Sequence, residues 1–154
     1  MSYKLPLVLT AGENQQLRGT DSLIDNINVF SVVNADVGGL TIPALKAVRW
    51  ITAVFATTPQ VSRAAAVTGF HKIVGFTIQS IAISTSGYVQ RTGVLDGFSG
   101  LVEGERYYLA SSPLGDIMPE SAISLAGGEY LVPVGRAITS TKFLIRIGEP
   151  IQLA

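Results

Sequence analysis

The chain has 154 residues, 47% of them hydrophobic and only 14% charged, with 11 basic side chains against 11 acidic and no cysteine. That length fits one domain, or one domain with arms, and suffices to bury a core without disulfides or metal. The balance excludes a disulfide framework and a thiolate metal site, and it lacks the basic footprint of a nucleic-acid binder.

An ordinary globular domain carries about a quarter charged residues. A chain this short of charge is expected to have part of its surface covered by other chains. The opening "MSYKLPLVLTAGENQQ" holds one lysine and a short apolar run. That run is too short for a signal-peptide core or a membrane span. The protein is therefore expected to be made and kept in a cytoplasm, or released by lysis, with no membrane partner.

Residues 4 to 10, "KLPLVLT", predict a short strand that Pro6 confines to an edge or an extended arm. Residues 1–20 are thus expected to be an arm or edge strand, and 21–154 a single β domain. Ile27 to Val33, "INVFSVV", is a β-branched run closed by "NADVGG". Residues 42 to 56, "IPALKAVRWITAVFA", fit two periods. Ile42, Leu45, Val48 and Ile51 make a helical stripe, while Val48, Trp50, Thr52 and Val54 alternate as in a strand. The turn "TTPQ" and the returning "VSRAAAV" favour a strand from Ala47 to Ala56, with a one- to two-turn helix over Pro43 to Ala47 as the alternative.

His71 to Thr85, "HKIVGFTIQSIAIST", is the longest β-like run, and Gly75 inside it predicts a bulge or bend. "SGYVQRTGVLDG" reads as one strand between glycines. Arg106 to Ala110 is the next strand, reversed by Ser-Ser-Pro-Leu-Gly into a return over Asp116 to Met118. In the last stretch Tyr130, Val132 and Val134 alternate, as do Phe143, Ile145 and Ile147, with "ITSTKF" joining the two strands.

Short strands with Gly/Pro/Ser/Asn punctuation, and no convincing long amphipathic helix, define an all-β fold. The expected form is a compact barrel or sandwich of short antiparallel strands with extended terminal segments. Its expected core is Ile73, Phe76, Ile78, Ile81, Val89, Tyr107, Leu109, Val132, Val134, Ile138, Phe143, Ile145 and Ile147.

Chemistry is hard to find. His71 is the only histidine, and it reads as a hydrogen-bonded residue at a strand start. "GFSG" fails the nucleophile elbow, because Leu101 stands where the second glycine must follow Ser99. Glu103 with Glu105, and Asp21 with Asp25, lack the company of further ligands that a calcium loop needs, and read as solvated turn residues. No dinucleotide or P-loop glycine pattern occurs. Trp50 with Phe55, and Tyr107 with Tyr108, are candidate contact aromatics. Strand alternation puts one tyrosine of the pair inside and the other, Tyr108, outside as an interface anchor.

Three stretches carry a resemblance. "KLPLVLTAGENQQLRGTDSL", the run from Gln60 to Ala110 with its "VGF" and "GERYYLA" strands, and the closing "YLVPVGRAITSTKFLIRIGEPIQL" together resemble virion proteins of tailed bacteriophages. The group is that of capsid decoration (cement, or head-fibre) proteins, with tail-fibre proteins as near neighbours. The similarity spans nearly the whole chain and is best from Gly87 to Leu153. It departs at residues 41 to 58, where "TIPALKAVRWITAVFATT" replaces a more polar segment.

The resemblance implies a symmetric oligomer, a homotrimer, on a viral capsid surface. It implies assembly in the host cytoplasm, the major capsid protein as partner, no active site and no cofactor. The expected contact residues are Leu5, Leu7, Val8, Trp50, Phe55, Tyr108, Ile151 and Leu153. The competing functions are a tail-fibre or baseplate component that binds host surface, and a small glycan-active enzyme. The absence of a repetitive shaft speaks against the first, and the absence of an acid–base set against the second.

Overall fold

The computed structural model describes residues 28–51 and 58–154. Twelve strands account for nearly all its regular structure: β1 (Val29–Asn34), β2 (Ala47–Trp50), β3 (Gln60–Arg63), β4 (Ile73–Thr77), β5 (Ser86–Gln90), β6 (Gly93–Asp96), β7 (Arg106–Leu109), β8 (Ile117–Pro119), β9 (Tyr130–Leu131), β10 (Pro133–Ala137), β11 (Lys142–Ile145) and β12 (Ile151–Gln152). The fold is all-β, as expected. Ser31–Ala154 form one compact unit; of the other, Met1–Phe30, residues 28–30 are described. The expected boundary at residue 20 lies outside the described residues.

The first five strands close a barrel in the order β1-β3-β2-β4-β5. Its ladders are antiparallel except one: β1 runs parallel to β3, with Val33 opposite Gln60. Purely antiparallel strands were expected, and β2, which comes between β1 and β3 in sequence, is the excursion that lets them run the same way. The amide of Asn34 donates to the Thr85 carbonyl and the Ser84 amide to the Asn34 carbonyl, tying β1 to the residues that enter β5. Val32, Ile42, Val48, Val61, Ile81 and Val89 are fully buried here, with Ile42 and Ile81 forming a bridge at 2.8 and 2.9 Å.

The second sheet, β6-β11-β10-β7-β8, is antiparallel throughout. Leu95, Phe143, Ile145, Ala137, Tyr107 and Leu109 face a core shared with Ala47, Ala64, Ala66 and Phe76 of the barrel segment. Phe143 sits at its centre, with ring centroids 5.8 Å from both Phe76 and Tyr107 and 5.4 Å from Phe98. A small third sheet pairs β12 with β9.

The expected bulge at Gly75 is present. Val48 pairs with Gly75 but Arg49 with Ile73, leaving Val74 as the extra residue. A Cβ at Gly75 would stand 2.5 Å from the Gln90 carbonyl oxygen, so only glycine lets β4 and β5 approach.

Several expectations fail for identifiable reasons. "SGYVQRTGVLDG" is two strands in different sheets. The Gln90 side chain donates to the carbonyls of Thr92 and Val94, and Gly93 takes a φ of 88°, turning the chain out of the barrel. The helix alternative at Pro43 to Ala47 is ruled out by Leu45 at φ 65°. Two expected core residues are exposed. Ile78 lies just past the end of β4, and Ile138 opens the β10–β11 hairpin, whose turn is held by the Thr139 hydroxyl accepting from the amides of Thr141 and Lys142.

Gly75→Ala should lower stability by about 1–3 kcal/mol, the usual range for overpacking against a backbone that cannot retreat. Urea denaturation midpoints at constant m-value measure it; an unchanged midpoint would mean that β4 and β5 do not pack this closely.

Candidate interaction surfaces

Asp36 is the most heavily bonded side chain among the described residues. It has no exposed surface, and Arg63 beside it is 17% exposed. Oδ1 accepts from the Ser62 hydroxyl and from the amide and Nε of Arg63, each at 3.0 Å; Oδ2 accepts from Arg63 Nη2 at 2.7 Å and the Gly38 amide at 3.1 Å. Asn34 continues the lattice, its Oδ1 accepting from the Asp36 amide and its Nδ2 donating to the carbonyls of Leu40 and Ile81. Burial pushes the Asp36 carboxyl up, but the hydrogen bonds from Arg63, Ser62 and Gly38 outweigh it and hold the group at about 2. The cluster joins the end of β1 to β3 and is a structural lock. Sequence reading weighed Asp21, Asp25, Glu103 and Glu105 and passed over Asp36. The available signal was Asn34-x-Asp36-x-Gly38, a pair of overlapping side-chain turns.

Trp50, at the end of β2, is 44% exposed. It lines a shallow cavity of about 300 Å3 with Ile73, Val74, Arg91 and Ile147. Ile73 and Ile147 also line a second cavity, of about 290 Å3, which His71, Glu149 and Pro150 close at the far side. The two adjoin at Ile73 and Ile147 and form a groove of mixed polarity between the β4 strand and the segment after β11, with Arg91 and Thr92 on the first cavity and Lys72 on the second. Ile151, 57% exposed, follows Pro150 in the chain but lines neither cavity. The C-terminal segment is no free arm: Ile151 pairs with Leu131, and the half-buried Leu153 donates its amide to Glu129. Leu5, Leu7, Val8 and Phe55 lie outside the described residues.

His71 is fixed rather than poised. It stacks flat on Tyr130 with centroids 3.7 Å apart, and its Nδ1 lies 3.3 Å from the Val67 carbonyl. Arg49 lays its guanidinium over the Phe70 ring at 4.2 Å. Burial pushes its pKa down, and the charge of Asp36 pulls the other way.

Tyr107 and Tyr108 are both buried, against the expectation that one would be exposed. Tyr107 points into the shared core and accepts the Val102 amide at 2.9 Å. Tyr108 does point outward, opposite Met118, but shares a small pocket with Arg106, Arg136 and Arg146 and keeps only 8% exposure. Long arginine stems cover apolar surface well, so an outward position need not be an exposed one.

Among the described residues no group of three or more His, Asp or Glu is placed to hold a metal ion, and no helix is long and apolar enough to cross a membrane. No protein-family model and no curated protein matches the chain.

Because the Asp36 carboxyl is depressed from 3.8 to about 2, its contribution is whole above the ordinary carboxyl range and is lost as pH falls from 4 towards 2. That window should cost about 2 kcal/mol of stability in the native protein. Asp36→Asn should flatten this acid limb and, by stranding Arg63, lose about 3 kcal/mol at neutral pH. Denaturant titrations across that pH range check both. An acid limb that is unchanged in the variant would exclude Asp36 as its source.

Proposed function

We propose that the protein is a virion structural protein, a capsid decoration protein that stabilises a bacteriophage head by binding the lattice of the major capsid protein. The observation that carries the reading is the unusual surface. A charge-poor β unit leaves Trp50, Val37, Leu40, Tyr88, Val94, Val102 and Ile151 substantially exposed. Apolar exposure on this scale in a small charge-poor protein favours contact with other chains. The resemblance of the sequence to decoration proteins supports the same reading. In it the protein self-associates as a trimer suited to three-fold positions, works on the capsid surface after assembly in the host cytoplasm, and has no catalytic role or cofactor.

The groove at Trp50 is the contact we assign to the capsid, since an exposed tryptophan beside isoleucines and an arginine has the composition of a binding anchor. Net charge is zero, so long-range attraction adds little.

Co-sedimentation of the full chain with empty capsids should show saturable binding at a fixed ratio to the capsid subunit. It should persist in about 0.5 M salt, where the Debye length is only a few Å. Trp50→Ala should weaken it by about tenfold or more without loss of folding. Light scattering should give a trimer at micromolar concentration. Failure to bind capsids at any ratio would remove the decoration reading, and a stable monomer would remove the symmetric assembly.

A further inference from the structure

Three arginines line one small pocket on the outer face of the second sheet. Arg106 on β7 stands directly opposite Arg136 on β10, and Arg146 follows the end of β11. With Tyr108 and Pro133 at the base, they enclose about 150 Å3. Like charges directly opposite on neighbouring strands destabilise a sheet unless something offsets them. Here the offset is partial. Glu120 grips Arg106 at two points, 2.8 and 3.2 Å, and Arg136 donates to the Gly104 carbonyl at 2.9 Å. Neither Arg136 nor Arg146 has an acidic partner among the described residues.

We infer that this pocket receives a carboxylate side chain from an acidic peptide segment of a protein partner. The guanidinium fork matches the two oxygens of a carboxylate, and three arginines carry more donors than Glu120 and the Gly104 carbonyl engage. Size selects the occupant. Small-molecule sites run to roughly 300–1,000 Å3 and enclose most of their ligand, whereas this hollow holds a single functional group. Its surroundings select a polypeptide as the carrier. The outer sheet face continues from Arg136 to Leu144 and Val94, which pair across β10, β11 and β6, so a chain whose acidic side chain enters the pocket finds apolar surface on which to lie. The inference stands on charge and geometry at this face and does not rest on the capsid reading. The pocket is lined from β7, β10 and Arg146 just after β11, whereas the Trp50 groove is lined from β2, β4 and the next residue, Ile147, so the two meet only at this segment.

Calorimetric titration of the full chain at low, fixed ionic strength tests it, with a capped tetraglutamate peptide, its tetraglutamine counterpart and free acetate as probes. Tetraglutamate should bind at one site and tetraglutamine should not. Arg146→Gln should weaken tetraglutamate by about tenfold, the loss of one charge-assisted contact. Glu120→Gln, which releases Arg106, should tighten it, an opposite sign that a merely structural role would not produce. Both side chains are exposed, and unchanged denaturation midpoints verify the folds. Arg146→Lys, which keeps the charge and loses the fork, should fall between native and Arg146→Gln. Absence of tetraglutamate binding, equal binding of tetraglutamine, or indifference to both Arg146 substitutions would overturn the site. Acetate binding as tightly as the peptide would overturn the peptide assignment in favour of a free small carboxylate.

Discussion

Everything in the Ser31–Ala154 unit hangs on how closely backbones approach at three consecutive alanines. Ala64, Ala65 and Ala66 have no exposed surface. Ala64 donates to the Ala47 carbonyl and accepts from the Gly115 amide; Ala66 donates to the Ala110 carbonyl and accepts from the Tyr130 amide. One short segment thus ties β2 of the barrel, the β7–β8 turn and the start of β9. A larger side chain at these positions would part the strands it joins, and Phe76 and Phe143 would no longer share a core. The barrel therefore does not stand as an independent body. Its outer wall at Ala47 and Phe76 is the inner wall of the second sheet's core.

That shared wall decides which surfaces remain for binding. The inward side of the second sheet is used up against the barrel, so its outward side, with the arginine pocket, is available. The barrel interior holds its own side chains, Val32, Val48, Val61, Ile81 and Val89 among them. On the barrel side Trp50 at the end of β2 and the bulge residue Val74 of β4 line one cavity with Ile147. The bulge thus shapes one wall of the groove, an ordinary use of such irregularities.

Strand identity was legible where alternation and punctuation agreed: β7, β8 and β11 fall within a residue or two of their expected places, and Gly75 marks its bulge, whereas the returning strand expected through Val67 ends at Arg63 and the run through Tyr130, Val132 and Val134 is divided between β9 and β10. Which sheet a strand joins was not legible, because periodicity records only that one face is buried. The run from Ser86 to Asp96 is uniformly β-like in sequence, and its division between two sheets depends on the Gln90 side chain closing a turn. The parallel β1–β3 pair is equally invisible to local pattern. Of the contact candidates, Trp50 was read inside a strand from Ala47 to Ala56 and Ile151 in an extended terminal segment; both are exposed, Trp50 at the end of β2 and Ile151 in β12. Tyr108 was placed on the right face, but its burial under arginines depends on Arg136 and Arg146, which come from strands far along the chain. The Asp36 lock needed Ser62 and Arg63 brought alongside by the barrel, although its Asn-x-Asp-x-Gly turn could have been read locally.

The two candidate surfaces differ in physical kind, and the difference bears on what each can contribute to recognition. Burying apolar side chains at the Trp50 groove supplies affinity that salt hardly touches but fixes orientation weakly, because hydrophobic contact is non-directional. Paired guanidinium contacts contribute less where water and salt compete, yet they demand a donor and acceptor in register. A protein with zero net charge and few charged residues that nevertheless sets three arginines around one hollow is not using them for long-range attraction. Their value lies in direction at close range. Since the surfaces adjoin at Arg146 and Ile147 and are otherwise built from different strands of one compact unit, a partner that engages both is held in one orientation. A partner offering only apolar area, or only acidic groups, engages a single site and gains none of the avidity of the pair.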